Sequence, residues 1–357
     1  MKRLITCSDG TWNSPGIKDR GQPVKSNVEL IYNCIAYKSV NDGVEQLKVY
    51  DAGVGSSTYS WKDKISGGTT GAGIDKNIKD VYSFLVLNYA IGDEIYLFGF
   101  SRGAYTARSL AGFIRNCGIL KPQYLHLIDQ AYELYRDRNS YSNPDSDLMV
   151  GFKKNYCFEI VTRIKFLGVW DTVGSLGVPL PWYKFYNKER YKFHDVKISC
   201  TVDYAYHALA IDERRKLFEP TLWELSNTVK DDPDHRQVME QRWFPGVHCN
   251  VGGGYVDHGL SDLTLDWLMT KASDIGLYFD KACLSKLDPV HLFNGDPNGE
   301  LRNSRTAMYW FWRPVWRKIK EKEYSNEVID DSVINRRKNN PKYSPGNLSD
   351  FLKTKKD

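Results

Sequence analysis

Gly99-Phe100-Ser101-Arg102-Gly103 follows Glu94-Ile95-Tyr96-Leu97-Phe98 and precedes Ala104-Tyr105-Thr106-Ala107-Arg108-Ser109-Leu110-Ala111. The first flank is a short apolar run that reads as a buried strand, and the second reads as a helix. A G-x-S-x-G set between a strand and a helix is the context of a nucleophile elbow, which exposes a serine hydroxyl at the top of a sheet. The flanking glycines remove Cβ atoms where strand and helix close on each other. The plainer reading is a tight strand–helix turn in which Ser101 serves as N-cap.

Outward from this stretch, strands alternate with helices. Leu4–Cys7 and Gln46–Tyr50 read as strands ending at Asp9-Gly10-Thr11 and Asp51-Ala52-Gly53. Ser26-Asn27 can cap a helix through Ile35, and Ile74–Tyr89 carries apolar residues at helical spacing. Ile160–Val169 reads as a strand that delivers Trp170-Asp171-Thr172, and Val238–Phe244 as one that delivers Gly246-Val247-His248. Val202–Ile211 looks helical, Leu125–Arg136 and Leu263–Ile275 more clearly so. This alternation predicts the α/β class, a mostly parallel sheet with helices on both faces and a cap-like elaboration. One domain is expected over residues 1–350, with insertions around 120–160 and 179–240 and a disordered tail at 351–357.

The chain has 357 residues, 41% hydrophobic and 26% charged, the profile of a globular protein. Its net charge of +5 is too mild for a nucleic-acid footprint. The basic excess gathers toward the C-terminus, from Arg313 and Arg317 to Lys356, and reads as a solvated face or a weak attraction to anionic lipid. Met308–Arg317 is the most aromatic stretch, either rings packed on the domain or an interfacial segment in peripheral contact with a membrane. Seven scattered cysteines without a C-x-x-C suit a reducing compartment. With no signal-peptide pattern and no apolar run long enough to span a bilayer, the expected location is the cytoplasm, or export that needs no signal peptide.

A serine nucleophile needs a base to take its proton and a carboxylate to orient that base. Among seven histidines, His248 stands on a turn between a strand end and Gly252-Gly253-Gly254, where little bulk surrounds it. Asp171 ends an apolar strand, where a carboxylate points into the ligand crevice of an open α/β sheet. Asp212 and Asp262 compete for the acid's role but read more naturally as cap or salt-bridge residues. The oxyanion donors expected are Arg102 N–H and the Gly10-Thr11 turn, with the Gly53 loop as second choice. Asp9, His207 and Asp212 are read as supporting residues. The glycine-rich stretch 67–73 lacks G-K-[ST] and does not read as a phosphate loop. Asp9, Asp51 and Asp171 could share a crevice, but no cluster has metal-ligand spacing, so neither metal nor cofactor is expected.

The chain resembles the DUF2235 family, whose members include Tle1-like phospholipase effectors of bacterial type VI secretion systems. The resemblance rests on Ser8-Asp9-Gly10-Thr11-Trp12-Asn13, Gly92–Ala111, Phe166–Gly177, Tyr206–Arg215, Trp243–Tyr255 and Ser332–Leu348. It implies an α/β-hydrolase fold and a triad of Ser101, Asp171 and His248. It also implies hydrolysis of carboxylic esters, above all those of phospholipids or other lipids. Small soluble esters are the alternative substrate, and a non-catalytic interaction protein on the same scaffold the alternative function. The family often has Ser-Asp after the histidine; here Cys249-Asn250 stands there. No protein partner can be named from the residues.

Overall fold

A computed structural model describes residues 1–10, 15–53, 71–137, 139–173, 197–232, 234–280, 282–287, 293–305, 313–320 and 324–354. Among these, seven strands build one sheet: β1 (Arg3–Ser8), β2 (Gln46–Asp51), β3 (Glu94–Phe100), β4 (Ile164–Trp170), β5 (Val202–Ala210), β6 (Val238–Phe244) and β7 (Glu327–Ile329). Every neighbouring pair is parallel, in the spatial order β2-β1-β3-β4-β5-β6-β7. The order reverses between β1 and β3. In an open parallel sheet such a switch point leaves a crevice beyond the carboxyl ends of the strands. This is the architecture of an α/β-hydrolase fold.

The central strands β3, β4 and β5 are largely apolar on both faces because helices cover both, as parallel sheets require. Alternate residues sort to opposite sides. Leu4, Ile95, Leu97, Leu167 and Val169 pack with α2 (Gly71–Asn88), α3 (Arg102–Cys117), α4 (Ile128–Arg136) and α5 (Asp147–Tyr156). Ile5, Tyr96, Phe98, Phe166 and Trp170 pack with α1 (Asn27–Cys34) and α7 (Gly259–Ser273), the short helix α6 (His248–Gly252) coming between β6 and α7 in the chain. At the β7 side, Leu209, Ile211 and Trp243 meet α8 (Asp331–Asn339) and α9 (Gly346–Thr354) around Val333, Tyr343 and Leu348.

Several expectations are corrected. Val202–Ile211 is not a helix: Val202–Ala210 is strand β5, hydrogen-bonded between β4 and β6. Its apolar residues face both sides of a buried sheet, and a two-sided apolar run has no period that separates strand from helix. The supposed insertion at 179–240 therefore contributes a central strand. The C-terminal tail is ordered further than expected, since α9 continues through Thr354. The helix expected from Ile74 starts earlier, since Gly71–Gly73 open α2. The basic C-terminal run is not uniformly solvated, because Arg317 and Arg336 are buried. Thr11, residues 67–70, the stretch 179–191 and the aromatic residues 309–312 lie outside the described residues.

Candidate active site

Strand β3 hands Ser101 to α3 through a turn that the sequence permits only because of its glycines. A Cβ on Gly103 would stand 2.0 Å from Ser8 O and 2.6 Å from Asp9 O, and one on Gly99 2.4 Å from Gly103 O. With those atoms absent, α3 presses against the ends of β1 and β3. Ser101 takes φ 57° and ψ −116°, a left-handed conformation. Such a backbone costs on the order of 1–3 kcal/mol for a residue with a side chain. Its N–H is held by Trp170 O at 3.0 Å.

Asp171 follows β4, also with a positive φ of 38°. His248 opens α6, so the expected loop histidine begins a helix. The imidazole joins them: Nδ1 lies 2.5 Å from Asp171 Oδ2 and Nε2 lies 2.8 Å from Ser101 Oγ. The ring is sandwiched between Phe100, at 4.7 Å between centroids, and the edge-on Phe218, at 5.0 Å.

Burial alone would push the Asp171 carboxyl up, but Arg317 and His248 outweigh it and hold it well below the usual carboxylate range. Asp171 is therefore an anion that only accepts, so His248 Nδ1–H donates to it and Nε2 presents a lone pair to the Ser101 hydroxyl. Burial pushes the His248 imidazole down, against the opposing pull of Asp171. That shift favours the neutral ring, whose Nε2 faces the Ser101 hydroxyl.

Two charged residues that motif spacing does not flag complete the surroundings. Arg317 grips Asp171 with both ends of its guanidinium, Nη1–Oδ1 2.6 Å and Nη2–Oδ2 3.0 Å. Glu213, fully buried and paired with Arg215, accepts from His248 N–H at 3.3 Å and from Ser304 Oγ at 3.1 Å. Its carboxyl lies below the usual range because Arg215 outweighs burial.

The expected supporting residues fall into distinct places. His207 is buried on β5; its Nε2 accepts from Thr172 N–H at 3.1 Å, so Nδ1–H donates to Gln241 Oε1 at 3.2 Å. Burial pushes its pKa down to about 3, and this neutral ring fixes the backbone just after Asp171. Asp212 does not touch the His248 ring. It accepts from Gly246 N–H at 2.7 Å and Tyr343 Oη at 2.8 Å, bracing the turn that delivers His248. Asp262 pairs with His258 Nδ1 at 2.6 Å on α7.

Asp9 is buried at the end of β1, accepting from Ser26 Oγ and, at 2.7 Å, from Tyr50 Oη. Burial raises its pKa to about 7. Asp9 Oδ1 also takes the Gly10 N–H at 2.7 Å, so that amide, expected to serve an oxyanion, is turned to a carboxylate instead. Arg102 opens the first turn of α3.

Asn250 Oδ1 accepts from Val247 N–H and Arg302 N–H, each at 3.3 Å, while its Nδ2 donates to Glu300 O at 3.0 Å. A carboxylate could not make that last bond. No group of three or more His, Cys, Asp or Glu among the described residues could hold a metal ion. No helix among them is long and apolar enough to cross a membrane.

Residues 2–271 match the family model described as T6SS, Phospholipase effector Tle1-like, catalytic domain. An uncharacterized protein of Saccharomyces cerevisiae is 30% identical over 240 residues, 61% of this chain and 32% of that protein. Among solved structures, an uncharacterized protein from Pseudomonas aeruginosa is similar at 18% identity and TM-score 0.43, over 78% of this chain and 46% of that one. The Tle1 effector bound to the VgrG spike of the type 6 secretion system is similar at 16% identity and TM-score 0.36, over 71% and 51%. The chain thus spans about a third to a half of the length of these relatives.

Proposed function

Because this chain belongs to the family of Tle1-like phospholipase effector catalytic domains, we propose that it is a serine hydrolase of carboxylic esters, with a phospholipid or other lipid ester as substrate. The observation that carries the reading is the single imidazole hydrogen-bonded at one nitrogen to Ser101 and at the other to Asp171.

In this reading His248 Nε2 takes the Ser101 proton as Oγ attacks the ester carbonyl. Arg102 N–H, in the first turn of α3, is one proposed oxyanion donor. With Gly10 N–H bonded to Asp9, the N–H of Thr11, next in the sequence, is the proposed second. The tetrahedral intermediate collapses as His248 passes its proton to the leaving alcohol, which departs and leaves an acyl-Ser101. Water then gives a proton to Nε2 as it attacks the acyl carbon, and the second tetrahedral intermediate collapses as that proton returns to Ser101 Oγ, releasing the acid and restoring the free serine. Asp171 holds Nδ1–H throughout and stabilises the imidazolium. These steps call for no cofactor.

Val315 and Trp316 stand exposed beside Arg313 and form the proposed peripheral contact with lipid. The test is fatty-acid release from phosphatidylglycerol and phosphatidylcholine vesicles, set against hydrolysis of p-nitrophenyl butyrate. Release from vesicles by the wild type and none by Ser101→Ala is expected. Turnover of the soluble ester alone moves the substrate to small esters, and turnover of neither overturns the enzyme reading.

A further inference from the structure

We infer that Arg317 is a positioning residue for the acid of the triad: its guanidinium locks the Asp171 carboxylate in the plane that meets His248 and tempers the pull of that carboxylate on the imidazole. This rests on the reading of Ser101, His248 and Asp171 as the reacting set.

The geometry is specific. Asp171 Oδ1 accepts from Arg317 Nη1 at 2.6 Å and Ala210 N–H at 3.1 Å; Oδ2 accepts from Arg317 Nη2 at 3.0 Å and His248 Nδ1 at 2.5 Å. Two parallel N–H bonds from a rigid fork fix both oxygens, so the lone pair left on Oδ2 faces Nδ1. A lysine ammonium, a point donor, would leave the carboxylate free to turn. The same guanidinium donates from Nη1 to Ala210 O at 2.8 Å, at the end of β5, and from Nη2 to Phe218 O. The Phe218 ring is the edge-on wall of the imidazole. One side chain therefore ties together the acid, a strand end and one face of the base.

Folding alone is a poor reason for such a pair. Taking two charges out of water costs several kcal/mol each, and their attraction often no more than offsets it, so apolar packing of the same volume is commonly as stable. Arg317 is 5% exposed and Asp171 0%. Arg317 Nε is buried with no hydrogen-bond partner among the described residues, a further cost of placing the group there.

The electrostatic consequence follows from charge. Opposite Nδ1 stands an Asp171–Arg317 ion pair rather than a bare carboxylate. The imidazolium is stabilised less, and His248 stays an available base to lower pH. The other titratable groups around the ring do not undo this. Glu213 and Arg215, beyond the end of β5, are paired with each other, and the Cys249 thiol on α6 is pushed up to about 11 by burial and stays neutral.

The experiment compares Arg317→Met and Arg317→Lys with wild type, and Ser101→Ala as the control, on p-nitrophenyl butyrate, with melting curves for each. Arg317→Met should lower kcat about tenfold or more at nearly unchanged KM. It should also move the acidic limb of kcat/KM upward by about half to one pH unit. Arg317→Lys keeps the charge and loses the fork, so it should hold the limb at the wild-type position while recovering only part of kcat. Wild-type kcat in either folded variant overturns the inference, as does a loss of kcat with an unmoved limb in Arg317→Met. If Arg317→Met does not fold, Arg317→Lys decides: lowered kcat with an unmoved limb supports the role, and any other result overturns it. Activity surviving in Ser101→Ala would instead sink the serine-hydrolase reading, whatever Arg317 does.

Discussion

Asp171→Asn is nearly isosteric, yet the geometry makes it severe. The carboxylate accepts at both oxygens from four donors: Arg317 Nη1 and Ala210 N at Oδ1, Arg317 Nη2 and His248 Nδ1 at Oδ2. A carboxamide has one acceptor and one NH₂. With its oxygen at the Oδ1 position, the NH₂ opposes Arg317 Nη2 and points at His248 Nδ1. The imidazole can satisfy it only by offering a lone pair at Nδ1, which moves its proton to Nε2 and leaves no base facing Ser101. The reverse orientation keeps the right tautomer but sets NH₂ against two donors, Arg317 Nη1 and Ala210 N–H, so the first prevails. A wrong-tautomer histidine costs roughly 10⁴ in kcat, about 5 kcal/mol of transition-state stabilisation at about 1.36 kcal/mol per decade. The variant also leaves Arg317 buried without its anion, a loss of about 3–5 kcal/mol in stability. Adding Arg317→Met should restore much of the melting temperature but none of kcat, because the tautomer stays wrong. The assay is kcat on p-nitrophenyl butyrate with circular-dichroism melting for both variants. Folded Asp171→Asn with kcat within tenfold of wild type would refute the reasoning.

Two further outcomes are expected. Burial holds the His248 imidazole below its ordinary value, so Nε2 remains deprotonated as pH falls; the acidic limb of kcat/KM should lie below the ordinary imidazole range, and a limb at or above it contradicts the assignment. Gly103→Ala sets a methyl 2.0 Å from Ser8 O and 2.6 Å from Asp9 O, both backbone and unable to yield, so α3 must shift. Overpacking of this kind costs about 1–3 kcal/mol, and the shift displaces Ser101. Melting temperature and kcat should fall together, and a variant matching wild type in both would show that the elbow is looser than described.

Much of the site is legible because its parts are local. The strand before Ser101 and the helix after it are read from eighteen residues, Glu94–Ala111, and the glycines announce the tight turn. Asp171 follows the largely apolar run of strand β4, and His248 follows strand β6 by way of the turn residues Pro245-Gly246. What escapes is long-range. Strand β5 is apolar on both faces, so its run carries no period, and its identity comes from β4 and β6 on either side. Arg317 lies 146 residues from Asp171, in a basic segment that resembles a solvated face. Nothing in its spacing reports the buried carboxylate it meets. Glu213 is hidden in the same way, within the charged run Asp212-Glu213-Arg214-Arg215, and only the fold shows that it holds the first amide of α6.

The central claim is that Ser101 is a nucleophile activated by His248. The most direct measurement is labelling of the intact protein with a fluorophosphonate, followed by mass spectrometry of its peptides. A stoichiometric adduct on the peptide containing Ser101 is expected, absent in Ser101→Ala and slowed by orders of magnitude in His248→Ala. An unlabelled wild type, or labelling that persists undiminished in both variants, would contradict the account.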